Sequence, residues 1–79
     1  MTPIEAHQRS SLNRDEVTAS ELCGCFYCLA VFGSPEIDEW WDDGRTAVCP
    51  RCGIDSVLPG ETNKEFLLEM YEYWFGNKI

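Results

Sequence analysis

The most regular hydrophobic pattern in the chain lies toward its C-terminal end. Phe66, Leu67, Met70, Tyr71 and Trp74 recur at spacings of one, three and four, while Glu65, Glu69 and Glu72 line a narrow opposite stripe. Thr62-Asn63-Lys64-Glu65 has the composition of a capping box, so the pattern predicts a helix over residues 62–75. Gly76 is placed to end it in the left-handed conformation, with Lys78 near the negative end of the helix dipole. Leu68, Tyr73 and Phe75 widen the apolar arc beyond what a thin core needs, which raises a contact surface as well as core packing.

The rest of the chain carries shorter signals. Thr2-Pro3-Ile4-Glu5 combines a cap, a proline suited to the first helical position and a capping-box glutamate, predicting a helix to about Ser11. Its apolar face, Ile4 and Leu12, is thin. Asn13 to Glu16 reads as a turn and Val17 to Leu22 as extended chain. Phe26 to Phe32 is rich in aromatic and β-branched residues and reads as a strand. Gly33 ends it, and Ser34 is placed to cap a helical turn starting at Pro35, with Glu36 near its positive end. Ile37, Trp40 and Trp41 then offer an apolar face to the core. Asp43-Gly44 is a turn signal, Thr46 to Val48 a returning strand, and 54–58 an extended run stopped by Pro59-Gly60. The reading is one small α+β domain over 1–79: an N-terminal segment at 1–22 with a short helix, a ribbon of β-hairpins at 23–58, and the helix at 62–75.

A chain of 79 residues buries a limited core and commonly needs a staple. Five cysteines supply the candidate. Cys25, Cys28, Cys49 and Cys52 form C-x2-C-x20-C-x2-C, a spacing that brings four thiolates around one tetrahedral ion. Gly24 and Gly53 are suited to tight turns and Pro50 stiffens the second loop. The expected ion is zinc, bound by these four residues, with much of the folding free energy supplied by the metal. Cys23 lies two residues from Cys25 and competes for its place, but only Cys25 repeats the spacing of the second pair. His7 is distant from both pairs and reads as a polar residue of the first helix. An odd number of cysteines and such short loops suit disulfides poorly. No apolar run at the N-terminus resembles a signal peptide and none reaches membrane-spanning length, so a reducing cytoplasm is expected.

Fourteen acidic residues face six Lys and Arg, a net charge of −8. Phosphate backbones require basic surfaces, so direct nucleic-acid binding is not expected, and a partner protein with a basic surface is. Catalysis has little to stand on. A closed four-sulfur site offers no open coordination position, and nothing in the sequence brings Cys23 and His7 together. Asp42 and Asp43 fall in a turn. No catalytic residue is assigned.

At the metal stretch the sequence resembles a zinc ribbon, and Cys49-Pro50-Arg51-Cys52-Gly53 is similar to a rubredoxin knuckle. More specifically, Cys-Gly-Cys-Phe-Tyr-Cys, Glu36-Ile37-x-Glu39-Trp40 and Ala47-Val48-Cys49-Pro50-x-Cys52-Gly53-Ile54-Asp55-Ser56-Val57, with Met70 to Phe75, resemble a family of small, functionally uncharacterised bacterial cytoplasmic proteins with a four-cysteine site. The resemblance implies a bacterial, intracellular, metal-bound protein and no particular activity. Three readings follow. The first is a non-catalytic acidic zinc protein that acts by protein–protein interaction, as an inhibitor, immunity protein or regulator of a basic partner. The second is a rubredoxin-like iron electron carrier, against which stands Leu29, where a glycine would follow the second cysteine of such a loop. The third is a zinc ribbon within a nucleic-acid-associated complex.

Overall fold

The main sheet is built around one short strand, Leu22–Cys25 (β1). A computed structural model describes residues 2–76. Ahead of β1 come two short helices, α1 (Pro3–Gln8) and α2 (Arg14–Ala19). After it follow β2 (Val31–Gly33), a 3-10 turn at Ser34–Glu36, β3 (Trp40–Trp41), β4 (Thr46–Ala47), β5 (Val57–Pro59) and α3 (Lys64–Trp74). The small α+β architecture, with a short helix at the N-terminus, antiparallel sheets and a C-terminal helix, is the one expected; α2 is an addition to it.

β1 is central in a three-stranded antiparallel sheet of order β2-β1-β5, while β3 and β4 form a separate antiparallel pair. Registers of Cys23 with Phe32 and of Cys25 with Val57 put those side chains on one face, because successive residues of a strand point to opposite sides. That face packs with Val17 of α2, Ile37, Ala47 and Cys49. Leu58 and Val31 lie on the other face, against Leu67 and Met70 of α3, Ala6 of α1 and Phe26. The sheet therefore separates two cores, one containing cysteine and one without it.

Gly24 sits in the middle of β1 and not in a turn. A side chain there would run into the Glu61 carbonyl and the Leu67 side chain, so glycine lets the chain entering α3 pass close over the strand. Gly53 does supply a turn, with φ of +80°.

The N-terminal capping box is present. Thr2 accepts from the Glu5 N–H and its own N–H donates to the Glu5 carboxylate, but the helix stops at Gln8, short of Ser11. Residues 13–22 depart further from expectation. The segment with acids at Asp15 and Glu16 forms α2, where Val17 is the single fully buried apolar residue. One buried apolar residue in a turn and a half leaves no periodic signal, and tertiary contacts decide the conformation. Asn13 does not cap α2 with its side chain. Its amide donates to the carbonyls of Arg9 and Val57, both at 3.0 Å, and its oxygen accepts from the Ala47 N–H at 3.1 Å. A buried asparagine thus ties β5 of one sheet to β4 of the other.

The continuous strand expected at 26–32 is broken. β1 ends at Cys25, the chain turns through the first cysteine pair, and β2 begins only at Val31. Ser34 is the first residue of the 3-10 turn instead of its cap; the Gly33 N–H donates to the Glu36 carboxylate. Ile37 is buried and Trp40 half-buried beneath the Arg14 guanidinium, 4.3 Å from its ring, but Trp41 is exposed. Asp42, Asp43 and Gly44 all adopt left-handed conformations in the turn between β3 and β4.

At α3 the cap is Asn63 and not Thr62, its side-chain oxygen accepting from the N–H groups of Glu65 and Phe66. Leu67 and Met70 carry the buried face, with Phe66 packed at its edge. Trp74 lies off the sheet, its ring 4.1 Å from His7 and its indole N–H donating to the Pro3 carbonyl at 3.2 Å. Gly76 is not left-handed; the helix closes through N–H bonds from Phe75 to Tyr71 and from Gly76 to Glu72. Lys78 lies outside the described residues.

Candidate metal centre

The two cysteine pairs form loops that match bond for bond. In the first, the Leu29 N–H donates to the Cys25 carbonyl at 2.9 Å and the Cys25 N–H to the Ala30 carbonyl at 2.9 Å. In the second, the Gly53 N–H donates to the Cys49 carbonyl at 3.0 Å and the Cys49 N–H to the Ile54 carbonyl at 2.9 Å. The residue following each second cysteine is left-handed: Leu29 at φ +65° and Gly53 at φ +80°. Leucine adopts a backbone that glycine takes more easily, at a cost of about 1–2 kcal/mol, and in return its side chain packs against the α3-side core. The missing glycine therefore does not distort the first knuckle, and the objection to iron drawn from Leu29 falls.

These knuckles aim four sulfurs at one point. The sulfurs of Cys25, Cys28, Cys49 and Cys52 all lie within 4.8 Å of one another. Cys25 to Cys52 and Cys28 to Cys49 are each 3.7 Å apart. A tetrahedron with metal–sulfur bonds of about 2.3 Å has sulfur–sulfur edges of about 3.8 Å, whereas a disulfide would bring two sulfurs to about 2.0 Å. The donor set fits a thiophilic metal such as zinc or iron. The four cysteines form a zinc-ribbon-like cluster with the geometry to hold a metal ion.

Backbone and side-chain donors surround it. The Tyr27 N–H at 3.3 Å and the Cys28 N–H at 3.5 Å point to Cys25 Sγ, and the Arg51 N–H at 3.3 Å points to Cys49 Sγ. The Ser56 hydroxyl, buried, lies 3.0 Å from Cys25 Sγ. Burial alone would raise the Cys25 pKa, but the hydrogen bonds from Ser56, Cys28 and Tyr27, joined by Cys52, outweigh it and leave the thiol more acidic than usual. Burial instead pushes Cys49 up to about 11 and Cys52 higher still, with the charge on Cys25 adding to both. Four thiolates at this spacing need a cation to hold them.

Cys23 is kept out by the strand itself. It shares a face with Cys25 but sits two residues away, about 6.8 Å along β1, and is fully buried among apolar neighbours that raise its pKa. His7 lies on α1 against Phe26 and Trp74, and is not part of the sulfur cluster. Asp42 accepts from the Thr46 hydroxyl at 2.7 Å and serves the turn. The contributions that sequence reasoning missed are Ser56 and Asn13. Both act across long sequence separations through the pairing of β1 with β5 and the meeting of the two sheets, and no local motif marks either.

No helix among the described residues is long and apolar enough to cross a membrane. No family model matches this chain, and neither the curated proteins nor the solved structures give a match.

Proposed function

We propose that this is a non-catalytic zinc protein, in which the ion staples two sheets together and the finished acidic surface binds a basic protein partner. The observation behind the structural role is the origin of the ligands. Cys25 and Cys28 belong to the β1–β2 hairpin, while Cys49 and Cys52 follow β4 of the other sheet. A closed set of four sulfurs fixes that junction and leaves no coordination position for substrate or water. The charge of −8 suits a partner with a basic surface and association that slows as salt rises. Elemental analysis of the purified protein is expected to give about one zinc per chain. A protein without metal would overturn the reading.

Iron remains the second reading, supported by the equivalence of the two knuckles and by N–H groups directed at sulfur in both. A red protein with about one iron per chain and a reversible one-electron reduction would select it over zinc.

A further inference from the structure

We propose that Leu68 and Tyr71 of α3, Phe75 at its C-terminal cap and Tyr27 of the first knuckle form the docking site for a basic amphipathic helix of a partner protein, assembled only while metal is bound. This rests on the reading that the protein acts on a basic partner, and gives that reading a surface. Residues 68, 71 and 75 stand at i, i+3 and i+7 and so share one stripe of the helix, beside the buried face of Leu67 and Met70, with Tyr71 half-buried at the border. Leu68 is 43 %, Tyr27 43 % and Phe75 44 % exposed. The rings among them are nevertheless held in place. The Tyr27 ring meets Phe75 edge-on at 5.0 Å and Tyr71 at 5.9 Å, and buried Phe26 stacks beneath Phe75 at 5.9 Å. Exposed aromatics already ordered by one another lose little freedom on binding.

The charges around the stripe choose its occupant. Glu65 and Glu72 flank Leu68 at i−3 and i+4, and Glu69 lies next to it on the solvent side. The ion pairs Arg9–Glu16 and Arg51–Glu36, formed among the described residues, engage none of these three glutamates. Lys64, one turn before Leu68, is the cation of α3 among the described residues. A second copy of the chain would bring the same glutamates and the same charge of −8 to the contact, so self-association is opposed. A helix with an apolar ridge between lysines or arginines satisfies both features of the surface.

Metal enters because Tyr27 stands between two ligands, Cys25 and Cys28, and its N–H donates to Cys25 Sγ. The knuckle places the ring that walls one side of the stripe. By linkage, a ligand that needs the knuckle also strengthens metal binding.

The test uses the zinc-loaded full chain and two synthetic peptides of identical leucine and lysine content. One has helical amphipathic order; the other is scrambled to have no apolar face. The amphipathic peptide is expected to bind about tenfold or more tighter than the scrambled one, with amide shifts centred on Leu68, Tyr71, Phe75 and Tyr27. Leu68→Ser, at an exposed position, should remove most of that preference, and Glu65→Gln with Glu72→Gln should flatten its salt dependence. Saturating peptide should also slow zinc transfer to a chelator. Equal binding of both peptides, unmoved by Leu68→Ser, overturns the site. Shifts centred away from these four residues overturn it too, while keeping the basic-partner reading; binding of neither peptide overturns both. Sedimentation showing a dimer that Leu68→Ser dissociates would overturn the partner-helix proposal and assign the stripe to a second copy. An unchanged rate of zinc loss overturns the metal coupling.

Discussion

Strand geometry decides which sulfur binds metal. Cys23 and Cys25 are chemically alike, point to the same side of β1 and are both fully buried. Only the position of Cys25 at the mouth of the knuckle, with Ser56 and two N–H groups around its sulfur, suits it to a negative charge. Cys25→Ser is therefore expected to abolish stoichiometric metal binding, and Cys23→Ser to retain it. In the metal-loaded protein Cys23 should resist alkylation until the chain is unfolded, since a buried thiol with a raised pKa presents almost no thiolate. Rapid alkylation of Cys23 with metal still bound would show that the strand packing is wrong. Asn13 is the other residue on which the design turns. Asn13→Leu would leave the Ala47 N–H and the Val57 carbonyl without their partners in the interior, at about 1–3 kcal/mol for each group. Denaturant titration of the zinc-loaded variant should show a clear drop in midpoint; an unchanged midpoint would remove Asn13 from the junction. The spacing of the cysteine pairs was legible from sequence because a knuckle is local. Asn13 and Ser56 were not, because their partners lie 44, 34 and 31 residues away.

At the scale of elements, α3 and α1 were readable because caps and periodicity are short-range signals. The limits were set by the same fact. Asn63 and Thr62 are both capping residues one position apart, and which one caps depends on how the chain leaves β5. The aromatic run at 26–32 reads as strand by composition, yet a C-x2-C knuckle must turn between its cysteines, and the turn wins. Trp74 shows how a periodic apolar residue can be placed on the right helix and the wrong surface. It covers α1 and remains 38 % exposed, so Trp74→Ala should cost about 1 kcal/mol, the loss of one hydrogen bond and a partial contact. Met70→Ala, from the buried face, should cost about 2–5 kcal/mol. Equilibrium unfolding of the two variants side by side checks the order, and the opposite order would return Trp74 to the core. Gly24→Ala is the companion test from the strand side. The added methyl meets backbone at Glu61 as well as the Leu67 side chain, so α3 cannot seat as it does now. Weakened folding with the four cysteines intact is the expected result.

For the whole molecule the question is whether metal holds one lobe or all of it. The cysteine-containing core joins α2 and the small β3–β4 pair to one face of the main sheet; the other core joins α1 and α3 to its opposite face. Two strands of two residues each cannot stand alone, so the first lobe should open when the ion is withdrawn. The second lobe has its own apolar residues, but it borrows from the first knuckle. Phe26, next to ligand Cys25, is buried in the α3-side core, and Leu29, next to ligand Cys28, packs against it. Releasing the knuckle therefore takes a phenylalanine out of the second core and frees a leucine held in a left-handed backbone. The two cores should fail together. Chelation is expected to remove the near-ultraviolet signal of the buried aromatics and the helical far-ultraviolet signal in one coincident transition, restored by adding metal back. Charge probes of the same molecule should spare Asp42, whose carboxylate holds the buried Thr46 hydroxyl, because its reversal to lysine would disturb the turn along with the surface. Hydrogen exchange after chelation gives the sharper reading. Protection lost from residues 37–52 while α3 amides stay protected would mean that the α3 lobe folds by itself and that the metal secures only half of the protein.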